Sequence, residues 1–243
     1  MSYLKPFIKK RAFLLATSFF SLTAEAAVSL DRTRAIYDGG ASSITLNISN
    51  DNKQLPYLAQ AWIEGADHVK QNNGPLVVTP PVQRLEPSSK SMVKITATSL
   101  AKNLPQDKES LFYFNLREIP PKSDKANVLQ IALQTKIKLF YRPESIKPKS
   151  NEVWQEKLEL HKTKDGYKIK NPTPYFITII GLGGSEKTSK EGAFDSVMIE
   201  PKAELFVRAK HYSTPWITYI NDYGGRPAMS FKCTGAVCTV LKT

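Results

Sequence analysis

The chain of 243 residues has few of the side chains from which metal sites and catalytic centres are usually built. Its three histidines, His68, His161 and His211, lie far apart, and none is near either of the two cysteines. Because a transition-metal site needs several such ligands brought together, no metal site is expected. No Gly-x-Ser-x-Gly motif is present, and nothing singles out a catalytic pair among the acidic residues. We therefore predict neither an enzyme nor a bound cofactor.

One glycine-rich stretch, residues 181–184, looks like a phosphate-binding loop. Loops of that kind require a glycine followed directly by Lys-Ser or Lys-Thr, and a helix after it. The motif is not completed here, and no amphipathic helix is predicted to follow. We interpret the stretch as a flexible strand end.

Long apolar runs are also missing, apart from one near the N-terminus. Residues 12–22 are largely apolar, follow three basic residues at positions 9–11, and precede the small-residue site Ala24-Glu25-Ala26. This order is typical of a secretory signal, with cleavage after Ala26. The run is too short to cross a bilayer, which needs about 18 apolar residues. We therefore predict removal of residues 1–26, export to an oxidising compartment, and no insertion of the mature chain into a membrane.

The chain carries an excess of positive charge, with a formal net charge of +12. Basic proteins often bind nucleic acid or anionic surfaces. Export argues against nucleic acid, and the sequence lacks the tight basic clusters with interleaved aromatic residues that bind single strands. We interpret the charge as a solvated basic surface.

The two cysteines, Cys233 and Cys238, follow two stretches that read as strands. In an oxidising compartment they should form a disulfide. The ring that they close is small, so the expected stabilisation is only about 2 kcal/mol. That is enough to hold a terminal hairpin together.

Alternation of apolar and polar residues recurs along the chain and is typical of half-buried β-strands. Clear examples are Ile44, Leu46 and Ile48; Phe112, Phe114 and Leu116; Leu129, Ile131 and Leu133; Tyr167 and Ile169; and Ile177 and Ile179. Turn residues such as Asp38-Gly39-Gly40 separate them, and no segment keeps a helical period over three turns. Many short strands separated by turn residues predict an all-β protein made of immunoglobulin-like sandwiches. Trp62 would then be the buried strand-C tryptophan.

A boundary is expected between two such sandwiches. Pro143 and Pro148 stiffen a short polar stretch, and a new pattern starts at Trp154. This predicts an N-terminal domain of residues 27–146 and a C-terminal domain of residues 147–243. A short linker implies a fixed angle between the domains, and therefore a cleft.

The segment of residues 127–141 is unusually long for a strand. At about 3.3 Å per residue it would span roughly 50 Å, two to three times the usual length, so part of it should run past its own sheet. Leu129, Ile131 and Leu133 share one face. The pattern alone leaves two alternatives: these side chains line the sandwich core, or they form an exposed edge that a partner covers. The polar, proline-containing loop before the segment resists strand formation.

Several runs resemble the periplasmic chaperones of the chaperone-usher pilus pathway. They are AVSLDRTR at 27–34, LFYFNLREIPP at 111–121, QIALQTKIKLFYRP at 130–143, NPTPY at 171–175 and INDYGG at 220–225. The resemblance covers the whole mature chain. It implies two immunoglobulin-like sandwiches set in an L with a cleft between them, and a location in the periplasm. It also implies a protein that binds, folds and caps pilus subunits and delivers them to an outer-membrane usher.

The resemblance assigns roles to individual residues. Leu129, Ile131 and Leu133 match the apolar side chains that a family member inserts into the groove of a subunit lacking one strand. Arg34 and Lys138 match the cleft residues that anchor the subunit's C-terminal carboxylate. Because Lys138 is even-numbered, it is out of phase with the three apolar residues. Either a bulge or strong twist re-aims the strand, or the two functions use different faces.

Three further residues, Glu109, Arg142 and Asp222, match an interdomain ionic contact in relatives. Such a contact would fix the cleft angle, and if exposed it would contribute only about 0–1 kcal/mol. It is not a binding site.

Two other functions are open to an exported β-sandwich protein. A structural pilus subunit or adhesin would have a free N-terminal donor extension and one domain short of its last strand, whereas Arg34 lies eight residues into the mature chain and the segment containing Leu129 is intact. A catalytic β-sandwich would show hydrolase turnover. The sequence leaves open whether the free chain forms a homodimer that covers its own edge.

Overall fold

The computed structural model describes residues 27–123 and 127–241, which form two all-β domains. The predicted signal, residues 1–26, lies outside the described residues, as do positions 124–126 of the loop. Within the described ranges, no helix is long and apolar enough to cross a membrane.

The first domain is a sandwich of nine strands. They are β1 (Val28–Leu30), β2 (Arg34–Asp38), β3 (Ser43–Asn50), β4 (Tyr57–Gly65), β5 (Leu76–Thr79), β6 (Val82–Leu85), β7 (Lys90–Ala97), β8 (Ser110–Ile119) and β9 (Gln134–Arg142). One sheet has the order β2-β9-β8-β4-β6, and the other has the order β1-β3-β7-β5. All pairs are antiparallel except β2 with β9, which is parallel. Alternate residues of both sheets, including Leu46, Ile95 and Phe114, fill one core.

Up to residue 241, the second domain contains eight strands and one short α-helix. They are β10 (Glu159–Thr163), β11 (Gly166–Lys170), β12 (Ile177–Gly183), α1 (Glu186–Glu191), β13 (Val197–Ile199), β14 (Glu204–Arg208), β15 (Trp216–Ile220), β16 (Ala228–Thr234) and β17 (Val237–Val240). The strands form one sheet in the order β13-β12-β15-β16-β17-β10-β11-β14. Ile199 and Val207, from the two edge strands, belong to the same core. The sheet therefore folds over on itself.

The predicted disulfide is present between Cys233 and Cys238, which are direct cross-strand partners in the hairpin of β16 and β17. Gly235 in the turn has a φ of +62°, a conformation that glycine adopts without steric cost. The disulfide therefore closes the terminal hairpin, as the cysteine spacing predicted.

The structure corrects the interpretation of residues 181–184. Helix α1 follows β12 directly, with Ser185 as its N-cap, and it packs against that strand. A Cβ atom at Gly181 would overlap the carbonyl oxygen of Ser189 in α1, and one at Gly183 would meet Thr188. The glycines therefore permit close packing of helix on strand, and the prediction of a flexible strand end was wrong.

Trp62 is also placed differently from the prediction. Its neighbours Ala61 and Ile63 point into the core, so Trp62 lies on the outer face of β4 and is only half-buried. Its Nε1 donates to Oε1 of Glu64 at 2.9 Å, and the guanidinium of Arg117 lies 5.5 Å from its ring. The buried strand-C tryptophan is therefore absent at this position, because the alternation of β4 puts Ala59, Ala61 and Ile63 on the core face and Trp62 on the other.

Candidate functional site

Strand β9 has different environments on its two faces. The odd-numbered Ile137, Leu139 and Tyr141 are buried in the first-domain core. The even-numbered Lys138 and Phe140 lie on the opposite face. The β8–β9 register runs without a shift from Ser110↔Tyr141 to Arg117↔Gln134. No bulge therefore re-aims Lys138 within this ladder, and its side chain is on the face away from the core.

The predicted long strand is shorter than expected, because β9 begins only at Gln134. On one side, β8 ends at Ile119 and is followed by Pro120 and Pro121, which have no N–H group to continue the ladder. On the other side, β2 begins opposite Lys138. Residues 127–133, called the free segment below, therefore lie outside both ladders among the described residues, and only Leu133 at their end contacts β8, through a backbone hydrogen bond from Glu118.

The free segment exposes its apolar side chains. Leu129 is 85% exposed, Ile131 is 66% exposed and Leu133 is 39% exposed. The alternative that these side chains line the sandwich core is therefore wrong. Exposed apolar side chains on unpaired backbone are what a strand offered to a partner would present.

Arg34 and Lys138 lie side by side, because they are the first register pair between β2 and β9. Arg34 is only 8% exposed, and its Nη1 donates to the carbonyl of Ile220 in the second domain at 3.3 Å. Its Nε is buried and has no hydrogen-bond partner in the described structure. None of the ion pairs formed by the described residues includes Arg34 or Lys138. We call these two residues the anchor pair.

The anchor pair is short of negative charge. Burial lowers the pKa of Arg34, and the carboxylates of Asp222 and Glu109 oppose this only in part. Burial also lowers the pKa of Lys138, and the neighbouring positive charge of Arg34 adds to the effect. A bound anion would reverse both effects, because an opposite charge favours the charged form of each cation. The pair is therefore suited to binding a carboxylate.

Lys136 gives a useful contrast on the same face of β9. Its Nζ lies 2.5 Å from Oε2 of Glu64 and 2.8 Å from Nδ1 of His68, and 4.9 Å from the centre of the Tyr113 ring. Lys136 is therefore already neutralised by a neighbouring carboxylate, and Lys138, two residues along, is not.

Arg142, the last residue of β9, joins the two domains. Its Nη2 lies 2.7 Å from Oε1 of Glu109, and its Nη1 lies 2.7 Å from Oδ2 of Asp222. Its guanidinium also lies 5.0 Å and 4.9 Å from the ring centres of Trp154 and Tyr175. The side chains of Arg142 and Glu109 are only 8% and 2% exposed, so this contact is buried and the small value expected for an exposed pair does not apply.

Glu109 holds the second domain through its backbone as well as its side chain. Its N–H donates to the carbonyl of Pro174 at 2.9 Å, and its Oε2 accepts from the N–H of Phe176 at 2.8 Å. Burial raises the pKa of Glu109 to about 7, against the opposing effects of Arg142 and the Phe176 N–H.

Sequence reasoning missed an aromatic contact beside this cluster. The rings of Phe140 and Phe176 lie 5.4 Å apart across the domain interface, and Phe140 is 3% exposed. The available signal was the run Leu139-Phe140-Tyr141, since consecutive apolar residues in a strand indicate burial on both faces. The interface therefore combines an apolar contact with the ionic one.

The chain matches known families in both domains. Residues 27–147 match the family described as pili and flagellar-assembly chaperone, PapD N-terminal domain. Residues 153–231 match the family described as pili assembly chaperone PapD, C-terminal domain. The chain is 61% identical over 236 residues to the chaperone protein PapD of Escherichia coli, covering 97% of this chain and 99% of that protein. It is 45% identical to the chaperone protein PmfD of Proteus mirabilis, covering 93% and 91%.

Solved structures agree with these sequence matches. The E. coli chaperone DraB superimposes with a TM-score of 0.70 at 30% identity, covering 86% of this chain and 97% of that one. A chain from the complex of the Salmonella enterica SafA pilin with the SafB chaperone gives a TM-score of 0.73 at 25% identity, covering 87% and 98%.

Proposed function

Because the chain belongs to the PapD family of pilus-assembly chaperones, we propose that it binds pilus subunits by strand addition. The free segment is lent to the subunit as a β-strand, and the anchor pair holds the subunit's C-terminal carboxylate. The observation that carries this proposal is the anchor pair itself: two adjacent, partly desolvated cations at the end of an unpaired strand edge. The complex of SafA pilin with the SafB chaperone supports a pilus subunit as the partner.

The position of the anchor pair fixes the direction of the bound strand. Strand β2 pairs with β9 in parallel and begins at Arg34, so the β9 edge that precedes Lys138 is vacant on that side. A subunit strand in this vacancy has its C-terminus at Arg34 and Lys138 only if it runs in the same direction as β9. The subunit's last strand therefore pairs in parallel with β9, and the carboxylate sets its register.

The free segment supplies the apolar part of the binding. Burial of Leu129, Ile131 and Leu133 in a subunit groove contributes on the order of 5–8 kcal/mol before ordering costs. Ladder hydrogen bonds along both edges of residues 127–132 add to this, since no strand of the described structure pairs with them. Charge and apolar contacts therefore act on the same strand.

The proposed role needs no cofactor and no catalytic residue. It places the mature chain in the periplasm after removal of residues 1–26, with domains of residues 27–146 and 147–243. It also includes delivery of the bound subunit to an outer-membrane usher. In the absence of a subunit, a homodimer would cover the free segment, and sedimentation of the purified chain at increasing concentration tests for it.

A charged residue introduced into the free segment should prevent subunit binding while the chain still folds. We expect Ile131→Asp to prevent recovery of a one-to-one complex when an unfolded pilus subunit is diluted into the chaperone. Its melting temperature should stay within a few degrees of wild type, because Ile131 is mostly exposed in the free chain. The matched control is Leu139→Asp, at a fully buried position of β9, the strand that follows the free segment, which should fail to fold. Normal complex formation by Ile131→Asp would count against strand donation.

A further inference from the structure

A buried carboxylate lies where the free segment leaves the first domain. Glu118 continues the core-facing row of β8 after Phe112, Phe114 and Leu116, and it is only 5% exposed. It takes part in none of the ion pairs among residues 27–123 and 127–241. A buried carboxylate without a cation is costly unless N–H groups satisfy its oxygens.

The partners of Glu118 come from two other parts of the chain. Its Oε2 accepts from the N–H of Val28 in β1 at 2.9 Å, and its Oε1 accepts from the N–H of Leu133 at 3.4 Å. Its own backbone N–H donates to the carbonyl of Leu133 at 3.0 Å. Because β1 belongs to the opposite sheet, one side chain links both sheets to the end of the free segment.

Among the three apolar side chains Leu133, Ile131 and Leu129, exposure increases with distance from Glu118. Leu133, which Glu118 holds through both its backbone and its carboxylate, is 39% exposed, whereas Ile131 and Leu129 are 66% and 85% exposed. Beyond Ile119, two prolines end the ladder. The hydrogen bonds of Glu118 are therefore the last that β8 makes to this part of the chain.

We propose that Glu118 is a positioning residue that fixes where, and in which direction, the free segment leaves the first domain. The effect of this positioning on subunit binding rests on the function proposed above. A segment whose base is held in place loses less conformational freedom when it enters a subunit groove, so binding is faster and tighter. The two N–H groups bind different oxygens of Glu118, so a carboxylate satisfies both, whereas the amide of a glutamine would turn its NH₂ group toward one of them.

Amide hydrogen exchange in the free protein tests the contact without any partner. In Glu118→Gln, the side chain keeps one carbonyl oxygen, which should stay with the shorter bond to Val28. The Leu133 amide then loses its acceptor, and we expect its exchange to become about tenfold faster, with Val28 unchanged. Unchanged exchange at Leu133 would overturn the inference.

Binding kinetics test the consequence. We expect Glu118→Gln to associate about three- to tenfold more slowly with an unfolded pilus subunit, with a melting temperature close to wild type. Glu86→Gln, which alters an exposed carboxylate, is the control and should bind as wild type. Wild-type association by a variant with increased Leu133 exchange would also overturn the positioning role.

Two further experiments cover misfolding of the variant and failure of the proposed function. If Glu118→Gln is not recovered folded, Glu118→Asp replaces it, because it keeps the charge but is one methylene too short to reach both N–H groups. Failure of the wild-type chain to bind any subunit would reject the proposed function, while the exchange of Leu133 would still decide whether Glu118 holds the segment.

Discussion

Replacement of either member of the anchor pair is expected to reduce subunit binding by at least about 100-fold. In Lys138→Ala or Arg34→Ala, a subunit carboxylate would be buried beside one cation instead of two and would lose charge-assisted hydrogen bonds. Recovery of soluble complex after co-expression with a pilus subunit, followed by affinity measurement on purified proteins, gives the size of the loss. The variants themselves should remain folded, because removing one of two neighbouring unneutralised cations relieves repulsion.

The matched control for this loss is Lys136→Ala. Lys136 lies on the same face of the same strand and has the same charge as Lys138, but Glu64 already neutralises it. Its replacement should change subunit affinity less than tenfold. Equal losses for Lys136→Ala and Lys138→Ala would mean that general positive charge, and not a defined carboxylate site, attracts the subunit.

The second large effect is expected at the domain interface. Arg142→Ala should lower the free energy of unfolding by about 3–5 kcal/mol, because it leaves the buried carboxylate of Glu109 without its cation. At pH 8, above the pKa of Glu109 of about 7, the carboxylate is ionised in the folded wild-type chain. Loss of Arg142 raises that pKa further, so the difference in denaturant unfolding between variant and wild type should grow as the pH is raised above 7. Asp222→Ala should cost less, since the side chain of Asp222 is 23% exposed.

An exposed ion pair provides the comparison for Arg142. Lys147 and Asp38 also lie 2.7 Å apart, but their side chains are 63% and 38% exposed. Lys147→Ala should therefore change stability by only about 0–1 kcal/mol. If Arg142→Ala has an equally small effect, the buried contact does not stabilise the arrangement of the domains.

Much of the fold could be predicted from short-range pattern. Alternating residues such as Ile44, Leu46 and Ile48 identify strands because a strand half-buried against one core must alternate. The spacing of the two cysteines identified the terminal hairpin for a similar reason, since a short loop brings cross-strand partners together. The anchor pair and the interdomain triad were assigned through resemblance, because nothing in their local sequence distinguishes them from solvated charges.

Other features depended on partners that are distant in sequence. The start of β9 at Gln134 is set by the two prolines after β8, which deprive the chain before Gln134 of a continuing ladder. Gly181 was interpreted as part of a flexible strand end, because the sequence did not predict the helix α1 that packs against it. Trp62 faces outward because the odd-numbered residues Ala59, Ala61 and Ile63 occupy the core face of β4. The role of Glu118 could not be predicted, because its partners Val28 and Leu133 lie near opposite ends of the first domain's sequence.

The most direct test of the carboxylate site uses one peptide in two chemical forms. A synthetic copy of a pilus subunit's C-terminal strand is made with a free carboxylate and with a carboxamide, and both are titrated calorimetrically into the wild-type chain. We expect the acid to bind at least about 30-fold more tightly than the amide. In the Arg34→Ala, Lys138→Ala double variant, the difference between the two forms should disappear. Equal affinities of acid and amide for the wild-type chain would contradict the proposal that Arg34 and Lys138 hold a terminal carboxylate.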